Sequence, residues 1–261
     1  MTAINLSGLL SIKKKYHVVH GTMSIYVKSW KPMKKFLYRA IYKNQKTIAV
    51  SNGIKEDFIG ILMANPKVIL TIYNPFDIKK INELSKEFIQ FSNFVLYIGS
   101  INKIKRLDVL VKAYKESKIS QDLVLLGFSD DKTEYEKEII SLINQLGLGN
   151  KIKCMSFTRN PYKYIKKADL VILSSDHEGL PSVLIEALIL KTKIVSTSCS
   201  AGISEIFTGS LKNYISTPGN YHKLSQNIVK ALEKELEISK KYYHKFDSEN
   251  IFENYLELIN D

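Results

Sequence analysis

The sequence predicts an α/β protein built on a doubly wound parallel sheet, together with a second and incomplete lobe of the same type. From residue 46 onward, short β-branched runs alternate with amphipathic stretches. Several of these runs are continuously apolar, as in strands that helices cover on both faces. Strand–helix–strand repetition of this kind requires right-handed crossovers, and these place neighbouring strands parallel to one another.

The predicted elements follow one another regularly along the chain. The predicted strands are 17–20, 46–50, 68–73, 94–98, 123–126, 151–157, 170–174, 193–197 and 213–215. The helices between them are 107–118, 134–146, 162–167 and 183–190. In the helix at 107–118, the residues Leu107, Leu110, Val111 and Tyr114 recur at helical spacing, so one face of that helix is expected to pack on the sheet.

The strand content divides the chain into unequal parts. Asn74-Pro75 ends the third strand, and a polar helix at 77–90 leads into a new series at Phe94. Residues 1–75 hold three strands, too few for an independent doubly wound domain. We therefore expect a partial first lobe at 1–75, a linker at 76–91 and a complete second lobe at 92–232. C-terminal helices are expected at 233–261, with a charged linker helix before the last helix at 248–258.

Charge is concentrated at one end of the chain. The net charge is +12, and residues 1–50 carry nine Lys, Arg39 and no acidic residue. A basic end on a balanced body indicates either contact with something anionic, for which an anionic membrane leaflet is one candidate, or a merely solvated basic surface, and charge alone does not decide between them. Its aromatic residues are more typical of a helix core face than of base stacking, so no nucleic acid partner is expected. Without an apolar run of 18 residues or a signal-peptide pattern, a cytoplasmic location is expected. We expect Cys154 and Cys199 to be buried thiols.

The segment DHEGLPSVLIEAL at 176–188 carries the strongest indication of a ligand site. It follows an apolar strand and opens a helix, which is where doubly wound sheets bind ligands and where helix termini attract phosphate. Gly179 permits a close backbone approach, and the free amides of Ser182 and Val183 can face an anion. Glu178 lies in the loop and Glu186 one to two turns into the helix, so both carboxylates can face one cleft.

A second segment, YIGSINKIKRLD at 97–108, also joins a strand to a helix. It offers three cations in four positions, Lys103, Lys105 and Arg106. A lysine beside a glycine-bearing strand end can clamp a phosphate. Because no GxGxxG or Walker sequence occurs, dinucleotide enzymes and P-loop NTPases are not indicated.

These segments resemble the C-terminal lobe of the GT-B glycosyltransferases, specifically glycosyltransferase family 4. The resemblance is carried by EGLPSVLIEA, with Glu178 and Glu186 as an E-x7-E pair, by IGSINKIKRLDVLVKAY and by AGISEI. Upstream, KTIAVSNGIKEDF and VILTIYNPFDI resemble the end of the family's Rossmann-like first lobe and its link to the second. The likeness covers residues from about 17 to 255.

The resemblance implies transfer of a sugar from a nucleoside diphosphate donor, expected to be a UDP-sugar, with retention of configuration and without a metal or cofactor. The acceptor would be a saccharide or a lipid-linked sugar in cell-surface polysaccharide synthesis. The implied catalytic residues are Glu178, near the reacting sugar, and His20, from the first lobe. The implied donor-binding residues are Gly99, Ser100, Lys105 for the diphosphate, Phe157 beside the base, Gly179, Leu180, Ser182, Val183 and Glu186 for the ribose.

The chain departs from the family pattern in two ways. Ser100 stands where an arginine usually follows the glycine of the first phosphate segment, and Lys103, Lys105 or Arg106 would have to compensate. Two complete lobes would need roughly 300–400 residues at ordinary domain size, so a fragment or a shortened protein acting with a partner is expected. A non-catalytic donor-binding subunit and a sugar-nucleotide epimerase of the same fold are the alternative functions.

Overall fold

A computed structural model describes residues 15–200 and 202–260, and it contains two parallel sheets flanked by helices. The first sheet has the order β1-β2-β3, with strands His17–Val19, Thr47–Ala49 and Ile69–Thr71. The second has the order β6-β5-β4-β7-β8-β9, with β4 Phe94–Ile98, β5 Asp122–Phe128, β6 Ile152–Ser156, β7 Leu170–Leu173, β8 Lys193–Thr197 and β9 Ile215–Ser216. The predicted doubly wound fold, with one sheet of three strands and one of six, is confirmed.

The helices follow the strands in alternation, as the sequence predicts for most of the chain. In chain order they are α1 (Met23–Val27), α2 (Pro32–Tyr42), α3 (Asn52–Leu62), α4 (Ile78–Leu84), α5 (Leu107–Ser117), α6 (Glu134–Gln145), α7 (Tyr162–Lys167), α8 (Ser182–Ile189), α9 (Ile203–Ile206), α10 (Tyr221–Glu233) and α11 (Ser248–Asn260). Side chains cap several starts, for example Ser51 on the amide of Ile54 and the Thr133–Glu136 capping box.

The strand order of the second sheet reverses between β4 and β7. The chain moves outward from β4 through β5 to β6, then returns to β7 and proceeds the other way through β8 to β9. A doubly wound sheet opens a crevice at such a switch point, outside the carboxyl ends of its strands. The loops that follow β4 and β7 therefore flank this crevice, and they are the two segments that the sequence singled out.

The chain passes between the lobes twice, and the two crossings pair with each other. The Phe76 amide donates to the Phe246 carbonyl at 2.9 Å, and the Ser248 amide donates to the Phe76 carbonyl at 3.0 Å. After the second crossing α11 returns to the first sheet, where Ile251 is buried with Ile48 and Ile72. The last helix therefore completes the core of the first lobe, although it lies at the other end of the sequence.

Three details differ from the sequence prediction. The expected charged linker helix is wrong, because residues 234–239 are irregular and only single 3-10 turns follow at Lys240–Tyr242 and His244–Phe246. Burial of Tyr242 and Phe246 between the lobes overrides local helix propensity there. The polar helix expected at 77–90 ends at Leu84. Cys199 is buried as expected, but Cys154 is exposed because β6 forms an edge of the sheet.

Candidate active site

The loops after β4 and β7 are joined into one unit at the switch point. We call residues 99–106 the lysine loop and residues 174–181 the EGLP loop. The Ser174 hydroxyl donates to the Lys105 carbonyl at 2.8 Å, and the Asp176 amide donates to the Ile104 carbonyl at 2.8 Å. Two bonds to backbone carbonyls fix the register of the loops, so the side chains they carry are held close together.

The side chains of Lys105 and Glu178 are in direct contact. Lys105 Nζ lies 2.6 Å from Glu178 Oε1, and the Ser175 hydroxyl donates to the same oxygen at 2.7 Å. The two side chains retain only 21% and 14% of their exposure, so the pair is shielded from most solvent. Lys105, predicted to bind the diphosphate, is thus paired with Glu178, the carboxylate predicted to face the sugar. An incoming phosphate and this carboxylate would compete for one ammonium group.

The other two cations of the lysine loop have different partners. Arg106 makes a bidentate contact with Asp108, at 2.9 and 3.0 Å, and also bonds Asp176 at 3.1 Å. These hydrogen bonds, those to Asp108 foremost, raise the pKa of Arg106 above its usual value. Lys103 is exposed and lies 3.9 Å from Glu138. Of the three cations proposed to replace the missing arginine, Lys105 is the one paired with Glu178, whereas Arg106 is held by Asp108 and Asp176.

Helix α8 carries Glu186 into a half-buried position. Desolvation raises the pKa of its carboxyl to about 7. Burial and the Glu186 charge together raise the pKa of Tyr162, which places the carboxylate near the start of α7. Within residues 15–200 and 202–260, no hydrogen-bond donor is found for this carboxylate. A half-buried acceptor without a donor is suited to ligand hydroxyl groups.

The start of α8 presents backbone amides at the same side of the sheet. The first amides of a helix lack intrahelical acceptors, which here applies to Ser182 and Val183. Leu180 is buried and Val183 packs against the core, so the first turn is anchored while its amides stay available. The positive end of the helix dipole adds to their attraction for an anion.

An apolar cleft of about 250 Å³ adjoins the lysine loop. Its lining residues are Ile98, Gly99, Ser100, Leu126, Gly127, Phe157, Thr158 and Pro161. Three of these, Gly99, Ser100 and Phe157, are predicted donor-binding residues, whereas Gly127 was missed. A Cβ atom at Gly127 would lie 2.1 Å from the Gly99 carbonyl, so only glycine fits there. Its position at the end of a predicted apolar strand is the signal that could have found it.

The first lobe contacts the EGLP loop through the segment that follows β1. A Cβ atom at Gly179 would lie 2.2 Å from the His20 carbonyl, and the Thr22 hydroxyl donates to the Glu178 carbonyl at 3.3 Å. The His20 side chain is exposed. The structure therefore brings the segments that hold Glu178 and His20 together across the lobes. Thr22 and Ser175 were not predicted, because isolated hydroxyl residues give no sequence signal.

Neither a metal-binding cluster nor a membrane-spanning helix is present among the described residues. No group of three or more His, Cys, Asp and Glu residues in this part of the chain is placed to hold a metal ion. Within the same described ranges, no helix combines the length and the apolar character needed to cross a membrane.

Two lobes with parallel sheets, the second with a switch-point crevice, are features of the GT-B class of glycosyltransferase folds. HepE from Anabaena, solved in complex with UDP, matches the chain with a TM-score of 0.80 at 18% identity, over 99% of this chain and 75% of that chain. Residues 79–250 match the family described as "Glycosyl transferases group 1". The chain belongs to this family.

Two curated relatives illustrate the family. The chain is 30% identical to N-acetylgalactosamine-N,N'-diacetylbacillosaminyl-diphospho-undecaprenol 4-alpha-N-acetylgalactosaminyltransferase of Campylobacter jejuni, over 81% of this chain and 57% of that protein. It is 29% identical to the capsular polysaccharide biosynthesis glycosyltransferase CapH of Staphylococcus aureus, over 80% of this chain and 56% of CapH. The chain thus spans a little over half the length of these relatives.

Proposed function

We propose that the chain forms the donor-binding lobe and part of the acceptor lobe of a retaining family-4 glycosyltransferase. Residues 92–232 would bind a UDP-sugar, residues 1–75 would contribute to the acceptor side, and residues 76–91 would link the two. The sugar would pass to a saccharide or a lipid-linked acceptor in the synthesis of capsule, O-antigen or exopolysaccharide. The activities for which the two relatives are named and the UDP bound to HepE support these choices.

The contact between Lys105 and Glu178 is the observation that carries this proposal. When a diphosphate binds, Lys105 exchanges the carboxylate for phosphate, and Glu178 is released toward the sugar and His20. The charge that develops on the departing diphosphate is stabilised by Lys105 and the amides of Ser182 and Val183, without a metal ion. Glu186 accepts hydrogen bonds from the ribose hydroxyls, which favour its ionised form.

Binding of the donor nucleotide is the direct test. Titration calorimetry of the folded chain with UDP, GDP and ADP is expected to show binding of at least one, with UDP preferred. Lys105→Ala should weaken that affinity tenfold or more, since a hydrogen bond between charged groups is worth about 1.5–3 kcal/mol. Lys103→Ala is the matched control, because this lysine is exposed and is turned toward Glu138. No binding at millimolar nucleotide, or equal effects of the two variants, would overturn the assignment.

A non-catalytic donor-binding subunit is the second candidate, and Ser100 favours it. This uncharged residue lines the apolar cleft where the family usually has an arginine, so one phosphate contact is missing. A transfer or donor-hydrolysis assay distinguishes the two functions. Nucleotide binding with no turnover in either assay, alone or with added acceptor fractions, would favour the subunit.

We further propose that the chain attaches peripherally to the cytoplasmic face of an anionic membrane. Helix α2 exposes an apolar stripe in which Met33 and Phe36 are 83% and 75% exposed. Lysines flank this stripe, and residues 1–50 contain no acidic residue. Basic residues near such a leaflet contribute about 1 kcal/mol each, so reversible binding is expected.

Vesicle co-sedimentation tests this attachment. Binding should require anionic lipid, fall as salt rises through about 0.5 M and weaken in Phe36→Ser. The control is Phe252→Ser, since this phenylalanine is comparably exposed at 63% but lies on α11. Equal binding to neutral vesicles, or no binding at low salt, would contradict the proposal.

A further inference from the structure

Glu205, on the short helix α9 of the second lobe, bonds to the first lobe through its carboxylate. Oε1 accepts a hydrogen bond from the Gly53 amide at 3.0 Å, and Oε2 accepts one from the Asn52 amide at 3.2 Å. Oε2 also accepts from the Asn52 side chain at 3.2 Å and from the Tyr73 hydroxyl at 2.5 Å. One carboxylate thus receives four bonds from residues more than 130 positions away in sequence.

The amides of Asn52 and Gly53 need an acceptor from outside their own helix. Asn52 and Gly53 are the first two residues of α3, an eleven-residue helix, and their amides have no intrahelical acceptor. The helix's own cap, Ser51, accepts from the Ile54 amide instead. A carboxylate at this position also interacts favourably with the positive end of the helix dipole. Glu205 therefore completes a cap that the first lobe cannot supply locally.

Residues beside both chain crossings between the lobes bond to Glu205. Tyr73 immediately precedes the first crossing, and Lys245 immediately precedes the second. The Lys245 ammonium donates to the Glu205 carbonyl at 2.8 Å and lies 5.2 Å from the centre of the Tyr73 ring. The Tyr73 and Phe246 rings pack edge to face, with their centroids 5.0 Å apart. The carboxylate of Glu205 thus binds the start of α3 and Tyr73 at the first crossing, and its backbone carbonyl binds Lys245 at the second crossing.

We propose that Glu205 is a positioning residue that fixes the orientation of the first lobe on the second. Through α3 and the adjacent strands it holds the segment after β1 against the EGLP loop, where His20 meets Gly179. Its effect on turnover rests on the proposed transferase function. Its effect on lobe geometry does not, so the two can be tested separately.

Hydrogen exchange of the full chain measures how strongly Glu205 protects the segments that join the lobes. In Glu205→Ala, peptides that cover the start of α3 should exchange at least tenfold faster, since the amides of Asn52 and Gly53 lose a charged acceptor. Residues 245–248 should change less, because Lys245 keeps the backbone carbonyl of residue 205 as its partner. Peptides from β5 and β7 should be unchanged. Glu205→Gln retains an acceptor oxygen and should restore part of the protection. Glu56→Ala is the matched control, because this exposed carboxylate lines the same interlobe cleft without bonding across it.

The outcomes separate the inference from the proposed function. UDP affinity should be the same in Glu205→Ala as in the unaltered chain, because Lys105, Glu186 and the apolar cleft all belong to the second lobe. Exchange rates that match those of Glu56→Ala would overturn the inference, whether or not UDP binds. If Glu205→Ala does not fold, Tyr73→Phe decides, because it removes one of the four bonds. It should accelerate exchange at the first crossing, and unchanged exchange there would overturn the inference.

Discussion

Replacing Glu186 by glutamine should remove a pH dependence of stability that burial imposes on the chain. The carboxyl of Glu186 is half-buried on α8, and desolvation raises its pKa from 4.5 to about 7. Glutamine keeps the shape of the side chain and cannot ionise. The difference between the two proteins therefore isolates this single group from the other residues that titrate in the same range.

The sign follows from proton binding. Below pH 4.5 the carboxyl is protonated in both the folded and the unfolded chain, and its contribution to stability is fully present. As the pH rises toward 7 the unfolded chain ionises first, so stability is lost over that interval and stays low above it. At about 1.4 kcal/mol per pH unit, the interval from 4.5 to about 7 corresponds to about 3 kcal/mol, an upper value because water reaches part of the side chain.

Urea unfolding at several pH values between 4 and 8.5 measures the difference. The free energies of unfolding of the unaltered chain and of Glu186→Gln should agree near pH 4 and diverge by up to about 3 kcal/mol at pH 8, with the variant more stable. Glu56→Gln, an exposed carboxylate, should follow the unaltered chain throughout. Saturating UDP should reduce the gap if ribose hydroxyls donate to Glu186. Parallel curves for the chain and Glu186→Gln would refute the reasoning.

Two other substitutions test the site from different directions. Gly179→Ala puts a methyl group 2.2 Å from the His20 carbonyl, about 1 Å too close, and should cost about 1–3 kcal/mol of stability in thermal unfolding. Gly60→Ala, inside α3 with nothing within 4 Å, should instead stabilise by about 0.5–1 kcal/mol, and a similar loss in both would contradict the steric account. Glu178→Gln removes the negative charge beside Lys105, so calorimetry should show UDP affinity maintained or raised while sugar transfer falls. Weaker UDP binding would count against competition for that lysine.

The sequence predicted the sheets and the two loops because continuous apolar runs and strand-to-helix junctions have strong local signatures. It placed Lys105 and Glu178 in loops that follow strands, but not in contact, because their pairing depends on the strand order and on the register of two loops, in residues 73 positions apart. Arg106 was a further candidate for the phosphate, but the structure pairs it with Asp108 and Asp176. Glu205 was noted only as part of the AGISEI segment, and its contact with the first lobe was not predicted. No local sequence pattern shows that a carboxylate will cap a helix in another lobe.

The position of α11 has a consequence for the order in which the protein is made. Ile48 and Ile72 of the first lobe are buried from solvent only when Ile251 packs on them. Ile251 follows Ile72 by about 180 residues. At the usual rate of protein synthesis that interval lasts roughly 10–35 s. During this time the growing chain exposes an apolar patch on the three-stranded sheet. Because this patch is synthesised well before the helix that covers it, a nascent-chain chaperone could bind there during that interval.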